Sequence, residues 1–335
     1  MTPEPPHLSN LLTRVWRAVR PPHQHRAAFE GVLGTALDLL LVTDRPDQAR
    51  AAEDALLAKI DRLERIFSRF DPHSELNRWL GTGGEVPVSP ELGALLQDGL
   101  HWLARSGGAF HPGADALGAL WRRCAAEGRA PDEAERHSLV EALKAPPYSV
   151  REDGRAATCL TSLGLNFNAI AKGRIVDLAC RAALATPGVR EVLLNIGGDL
   201  RHVGPWSRTV AIADPFTSAD NAPPVTLLRL QNQSLATSGG THRGFEVAGR
   251  HLTHVLDPHN GQPAEAVVGV SVCAPDCATA DVLATALNVL PPEAGLALAD
   301  SVPGVGCLIV TRDRQHISNA PWRAQARPTS PRGPS

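Results

Sequence analysis

Residues 277–290, CATADVLATALNVL, constrain the fold more than any other stretch of the chain. Ala278, Ala280, Val282, Leu283, Ala284, Ala286, Leu287, Val289 and Leu290 make the segment apolar on nearly every side, so as a helix it has to be buried. Asp281 sits in its middle, and Thr285 follows one turn later on the same face. A buried carboxylate is costly unless it is paired, so the fold around this helix must supply a partner. Two oxygens at i,i+4 suit a hard divalent cation such as Mg²⁺, which completes its shell with water and phosphate. An aspartate near a helix start can also offset the helix dipole. Taken alone, the segment favours that simpler role.

The bulk of the sequence narrows the class. Its 335 residues are enough for one large domain or two ordinary ones, and 43% hydrophobic with 20% charged residues reads as soluble and globular. The net charge of −2 carries no nucleic-acid footprint. No run of about eighteen apolar residues marks a membrane span. Six scattered cysteines form no C-x-x-C pair, so free thiols and a reducing compartment are expected. The start lacks the apolar core of a signal peptide. A cytoplasmic protein is therefore expected, with a periplasmic one as the alternative if an export signal is present.

Organisation follows from periodicity. Residues 1–30 read as an N-terminal extension. Within it, SNLLTRVWRAVR (9–20) places Leu11, Leu12, Val15, Trp16 and Val19 on one helical face and Arg14, Arg17 and Arg20 elsewhere. Such a helix fits peripheral contact with an anionic membrane, or docking on its own domain or a partner. PPHQH (21–25) reads as a hinge and TALDLLLVT (35–43) as a strand. Helices are expected over 47–69, 89–108, 115–124, 132–144 and about 170–186. Strands are expected at 158–167 and within 191–204, then as short segments over 206–275, before helices at 278–291 and 293–301 and a buried strand at 305–311. Residues 319–335 read as a disordered tail. Helices early and strands late favour an α+β fold, with a helical side over about 45–150 and a strand-rich side over about 151–318.

Several residues stand out within this frame. In THVLDPHNGQP (253–263), Asp-Pro and Asn-Gly are ordinary turn chemistry, whereas His254, read as lying on a strand, is not needed by the turn. It is either a core histidine or a proton acceptor. NAIAKGRIVD (168–177) puts Lys172 near a helix start, where free amides attract anions. NIGGD (195–199), TSGGTHR (237–243) and GGAFHPG (107–113) are glycine-defined turns that let a backbone approach a ligand. Each is individually explained by local structure.

Their order is more specific than any one of them. SRFDPHSELNRW, GGAFHPGADAL, NAIAKGRIVD, LLNIGGDLRHVG, LATSGGTHR, THVLDPHNGQP and ADVLATAL, preceded by LGT at 33–35, resemble motif after motif the FAD:protein FMN transferases of the ApbE family. The resemblance runs from about residue 31 to 311. It implies an ApbE-type, T-fold-like α+β domain over 31–318: a mixed sheet flanked by helices, with an FAD cleft between the helical and strand-rich sides. It also implies Mg²⁺-dependent transfer of FMN from FAD to a Thr or Ser hydroxyl of a target flavoprotein, with release of AMP. By the same resemblance, Asp281, Thr285 and Ala169 match metal-contact positions and His254 the catalytic histidine. Leu33, Phe70, Ala109, Phe110, His111, Asn166, Lys172 and Val255 fall on positions lining the FAD site. The chain departs from the family pattern at Leu33 (usually Met), His111 (usually Asp), Asn166 (commonly Asp) and Asn168 (commonly Gly). Two alternatives use the same residues: a Mg²⁺-dependent FAD pyrophosphohydrolase giving FMN and AMP, and a non-catalytic FAD carrier or assembly protein. DCATADV (276–282) matches only the beginning of the family's acceptor pattern, so self-modification is not expected.

Overall fold

The computed structural model of the chain describes residues 21–217, 222–239, 244–247 and 249–327. The amphipathic stretch 9–20 therefore lies outside the described residues, as do residues 240–243 of the TSGGTHR turn. In chain order, β1 (His23–Val32) and β2 (Thr35–Thr43) form a hairpin, followed by α1 (Pro46–Phe67), α2 (Glu75–Leu80) and β3 (Glu85–Pro87). Then come α3 (Pro90–Arg105), α4 (Asp115–Ala126), α5 (Glu133–Leu143), β4 (Tyr148–Val150), β5 (Ala156–Cys159) and α6 (Asn168–Leu184). Next are β6 (Val189–Ile196), β7 (Asp199–Val203), β8 (Arg208–Ile212), β9 (Thr226–Leu230), β10 (Ser234–Gly239), β11 (Gly244–Val247) and β12 (Arg250–Thr253). The chain continues through β13 (Val267–Ala274), α7 (Cys277–Val289), α8 (Pro292–Asp300), β14 (Gly306–Thr311), β15 (His316–Ser318), α9 (Ala320–Gln325) and β16 (Ala326–Arg327).

The centre is an eight-stranded sheet in the order β1-β2-β6-β7-β10-β13-β14-β15. The expected sheet flanked by helices is present, and its pairings are antiparallel throughout rather than mixed. One face packs on α1, α3, α6 and α7 through Leu37, Leu56, Ile60, Leu95, Ile170, Val176, Val270, Val282 and Leu287. The far half of the other face is covered by the small sheet β16-β9-β8 and by α9, which bury Leu228, Leu230, Leu308 and Trp322. Burial on both faces explains why every residue of β13 and β14 is buried, a continuous apolar run rather than an alternation. A third cluster joins α4 and α5 to the β11–β12 hairpin through Leu117, Trp121, Leu143, Phe245 and Leu256.

Helix boundaries obey their local signals. Ser89 accepts a hydrogen bond from the amide of Leu92 (3.2 Å) to open α3, and Asp132 with Glu135 forms a capping box on α5.

Four further expectations are corrected. The hinge at 21–25 is instead the start of β1, whose alternating exposure reflects an edge strand with one solvated face, so the N-terminal extension ends before His23. The strand at 158–167 stops at Cys159, and Leu165 and Phe167 enter the core from irregular backbone. His254 lies just beyond β12 rather than on a strand. Within the tail, residues 319–327 are ordered. Asn319 caps α9 by accepting from the amide of Trp322 (3.2 Å), and Trp322 packs against β14 with 2% exposure. One tryptophan anchors a segment whose proline and polar content reads as disorder.

Candidate functional site

The site is built on the crossing of α6 and α7. Gly173 of α6 lies so close to the start of α7 that a Cβ there would strike the Cys277 carbonyl and stand 2.8 Å from Ala278 Cα. Only glycine allows this approach. The Gly173 amide then donates to Asp281 Oδ2 (3.1 Å). The first-turn amides of α7 are already satisfied: Asp177 accepts from Cys277 (2.9 Å) and Ala278 (3.0 Å), and Asp276 from Thr279 (2.8 Å). Asp281 is therefore not the residue that closes the helix start.

Asp281 is 7% exposed and belongs to a buried charge cluster. Lys172 pairs with Asp199, which is itself buried at the start of β7. Burial, reinforced by the nearby Asp199, pushes the Asp281 carboxyl well above the usual carboxylate range against the pull of Lys172. Burial likewise raises Asp199. Burial alone would lower Lys172, but Asp281 and Asp199 together raise it. With both carboxyls ionised, one ammonium would leave the cluster short of one positive charge, a deficit that a proton on Asp281 or a bound cation makes up.

Two cavities open beside this cluster and share Asn168, the first residue of α6. The larger, about 650 Å³, is lined by Leu33, Phe70 and Lys172 among others. The second, about 370 Å³, is lined by Ala109, Phe110, His111, Asn166, Ala169, His254, Val255 and Thr285. Of the residues predicted for the site, all except Asp281 line one of these cavities, and Asp281 is buried one helical turn from Thr285. Asn166 holds the shared corner by accepting from the Asn168 amide (2.9 Å) and donating its own amide to Pro112 (2.8 Å).

Individual walls have clear local causes. Leu33 and Gly34 form the two-residue β1–β2 turn, both with positive φ (51° and 76°), an arrangement that usually selects Asn-Gly. Phe70 is 80% exposed, with the Arg69 guanidinium 5.8 Å from its ring centroid. Its loop is held by Asn77 Nδ2, which donates to the carbonyls of Arg69 (2.9 Å) and Asp71 (2.7 Å), and by the Arg69–Asp115 ion pair. His111 uses both ring nitrogens within the fold: Nδ1 accepts from Gly113 (2.9 Å) and Nε2 donates to the Leu143 carbonyl (2.9 Å). Burial lowers its pKa, so it stands neutral where the family pattern has an acid.

Sequence reasoning missed Gly173, Asp177 and Asp199. Asp199 was visible only as the end of a Gly-Gly turn, and nothing in spacing pairs it with Lys172. Among the described residues no three His, Cys, Asp or Glu side chains gather as a metal cluster. A cation here would depend on mixed oxygen donors. No helix of the described residues is long and apolar enough to cross a membrane.

An antiparallel sheet backed by helices, with two neighbouring cavities that share Asn168 beside a buried charge cluster, defines an α+β protein organised around a cleft. The ApbE protein of Thermotoga maritima has a similar fold, with a TM-score of 0.79 and 24% identity over 92% of this chain and all of that one. The ApbE family model matches residues 33–309, and the chain belongs to that family. It is 31% identical over 307 residues to the FAD:protein FMN transferase of Rhodobacter capsulatus, covering 88% of this chain but only 57% of that relative's length. It is 29% identical over 318 residues to the enzyme of the same name from Treponema pallidum, covering 87% of this chain and 86% of that relative.

Proposed function

We propose that this chain transfers FMN from FAD to a Thr or Ser hydroxyl of a target flavoprotein, releasing AMP. The observation that carries this reading is the buried Asp281 beside two neighbouring cavities, whose walls contain every other residue the family resemblance assigns. The start of α6 forms their common wall. Lys172, near the start of α6, lines the larger cavity and sets a positive charge there, which suits this corner to a pyrophosphate, with Leu33, Phe70 and Val255 offering apolar surface to the rings.

The donor set fits Mg²⁺. The Asp281 carboxylate, the Thr285 hydroxyl and the Ala169 carbonyl are hard oxygen donors, and with both carboxyls ionised the charge cluster lacks one positive charge. These residues would hold the ion, which supplies charge neutralisation at the pyrophosphate. Lys172 adds a fixed positive charge beside it, oriented by Asp199. His254 lines the same cavity as Thr285 and accepts the proton of the incoming hydroxyl. Holding that hydroxyl in line with phosphorus is the remaining contribution of the walls.

The test incubates the protein with FAD, with Mg²⁺ or EDTA, and with or without a peptide carrying a Thr/Ser acceptor, and resolves FMN, AMP and flavin-labelled peptide. AMP formed only with peptide, beside labelled peptide, is the expected result. AMP and free FMN without peptide would make the protein a hydrolase. Bound FAD with no product would make it a carrier.

A further inference from the structure

His259 is not used by the mechanism above, and its surroundings are unusual. It belongs to the turn after His254, where its backbone amide donates to Asp257 Oδ1 (2.9 Å) and Gly261 donates to the Asp257 carbonyl (2.8 Å). Trp121 Nε1 donates to the Gly261 carbonyl (2.8 Å) and Arg136 to the Asn260 carbonyl (3.1 Å), tying the turn to α4 and α5. His259 alone among these contacts reaches the loop that carries Ala109, Phe110 and His111. Its Nε2 lies 2.8 Å from the Gly107 carbonyl. Glycine at 108 makes room for the ring, since a Cβ there would stand 3.3 Å from Nε2.

The other ring nitrogen, Nδ1, lies 2.6 Å from Asp257 Oδ1. Both partners are acceptors, a carbonyl and a carboxylate, and neither has a proton to give. A neutral imidazole carries a single N–H, so it makes one of these hydrogen bonds at a time. Both form together only when the ring carries two protons.

We infer that His259 is a positioning residue: as the imidazolium it straps the turn after His254 to the Gly107–His111 loop, and neutralisation releases one end of the strap. His254 and Val255 from the turn, and Ala109 to His111 from the loop, line the same 370 Å³ cavity. The strap thus sets the spacing of two walls of the site. What the cavity holds rests on the flavin reading above, whereas the strap itself does not.

The charges around the ring are consistent with this. From its own turn, Asp257 favours the cation. From the facing loop comes His111, held neutral, and from the end of α5 comes Lys144, which lines a neighbouring cavity of about 480 Å³ with His259. Arg136 is engaged with Asn260. Partial burial pulls His259 down, but the Gly107 carbonyl and Asp257 outweigh it and hold the ring above the ordinary histidine value.

The experiment is a ring titration of the full chain by ¹⁵N–¹H NMR without ligand, with hydrogen exchange of residues 257–262 across the same pH range. The expected result is a doubly protonated His259 that titrates above the ordinary value, with protection of the turn falling as the ring deprotonates. FAD affinity should then fall by about 10-fold between the two ring states, the effect of one charge-assisted hydrogen bond. The variant His259→Arg, a permanent cation with several donors, should bind with no such pH step, and His259→Gln should be weak and pH-flat. A ring that titrates at or below the ordinary value overturns the inference. So does a raised ring whose titration leaves both exchange and affinity unchanged. If FAD does not bind at any pH, the functional reading fails, while titration and exchange still decide the strap.

Discussion

The backbone amide of Gly173 donates to the carboxylate of Asp281 at 3.1 Å across the α6–α7 crossing. This bond exists because residue 173 has no side chain. A Gly173→Ala protein must push the helices apart, since the added methyl meets fixed backbone of Cys277 and Ala278. Overpacking of this kind costs about 1–3 kcal/mol. Urea denaturation should show that loss, and product formation should fall further than the stability change explains, because Asp281 loses its donor. A Gly173→Ala variant as stable as the parent would show that the helices give way easily.

Asp281→Asn preserves shape and removes the charge. Burial already disfavours ionised Asp281, and Lys172 keeps Asp199 as a partner. In EDTA the variant should therefore melt no lower than the parent. Mg²⁺ binding by calorimetry should disappear. Turnover should drop by more than about 100-fold, corresponding to several kcal/mol of charge stabilisation. Retained turnover would remove Asp281 from the chemistry.

Leu33 is held at φ 51° in a turn that Gly or Asn would adopt without strain. Leu33→Gly should relieve about 1 kcal/mol of backbone strain, but it also removes a side chain packed against the main core, so the melting temperature should change little. It should also weaken FAD binding by roughly 10-fold, since a leucine side chain buries apolar surface worth about 1.5–3 kcal/mol. Affinity that falls while stability holds is the signature to look for. Unchanged affinity would mean that the side chain does not face the ligand.

His111 gives a pH dependence with a definite sign. Its folded pKa lies below 6.5, lowered by burial, and Nδ1 must stay unprotonated to accept from Gly113. The unfolded chain takes up the proton first as pH falls. The stability His111 contributes is thus complete above pH 6.5 and is lost as pH drops from there through the folded pKa. His202, buried beside Glu191, shifts in the same direction. The difference between the parent and His111→Asn, measured by thermal melts from about pH 7.5 to about pH 5, isolates the His111 share. A parent–variant difference that does not change with pH would contradict the neutral, doubly engaged ring.

Much of this molecule was legible in the sequence because its signals are local. The stripe of α1, the Ser89 cap of α3 and the apolar run of α7 depend on residues three or four apart, and they survive in the fold within a few positions. Motif order brought the cavity residues together by resemblance alone. What only tertiary structure decided are relations between segments distant in the chain. Lys172 chooses Asp199, Asp177 joins Asp276 in capping α7, and His259 reaches back to Gly107. Trp322 turns an apparently disordered tail into a packed helix. None of these leaves a periodic trace, because a hydrogen bond or ion pair is set by where two backbones meet in space. Asp281 shows both halves: periodicity alone required it to be buried, but only the close crossing at Gly173 decided what it would face.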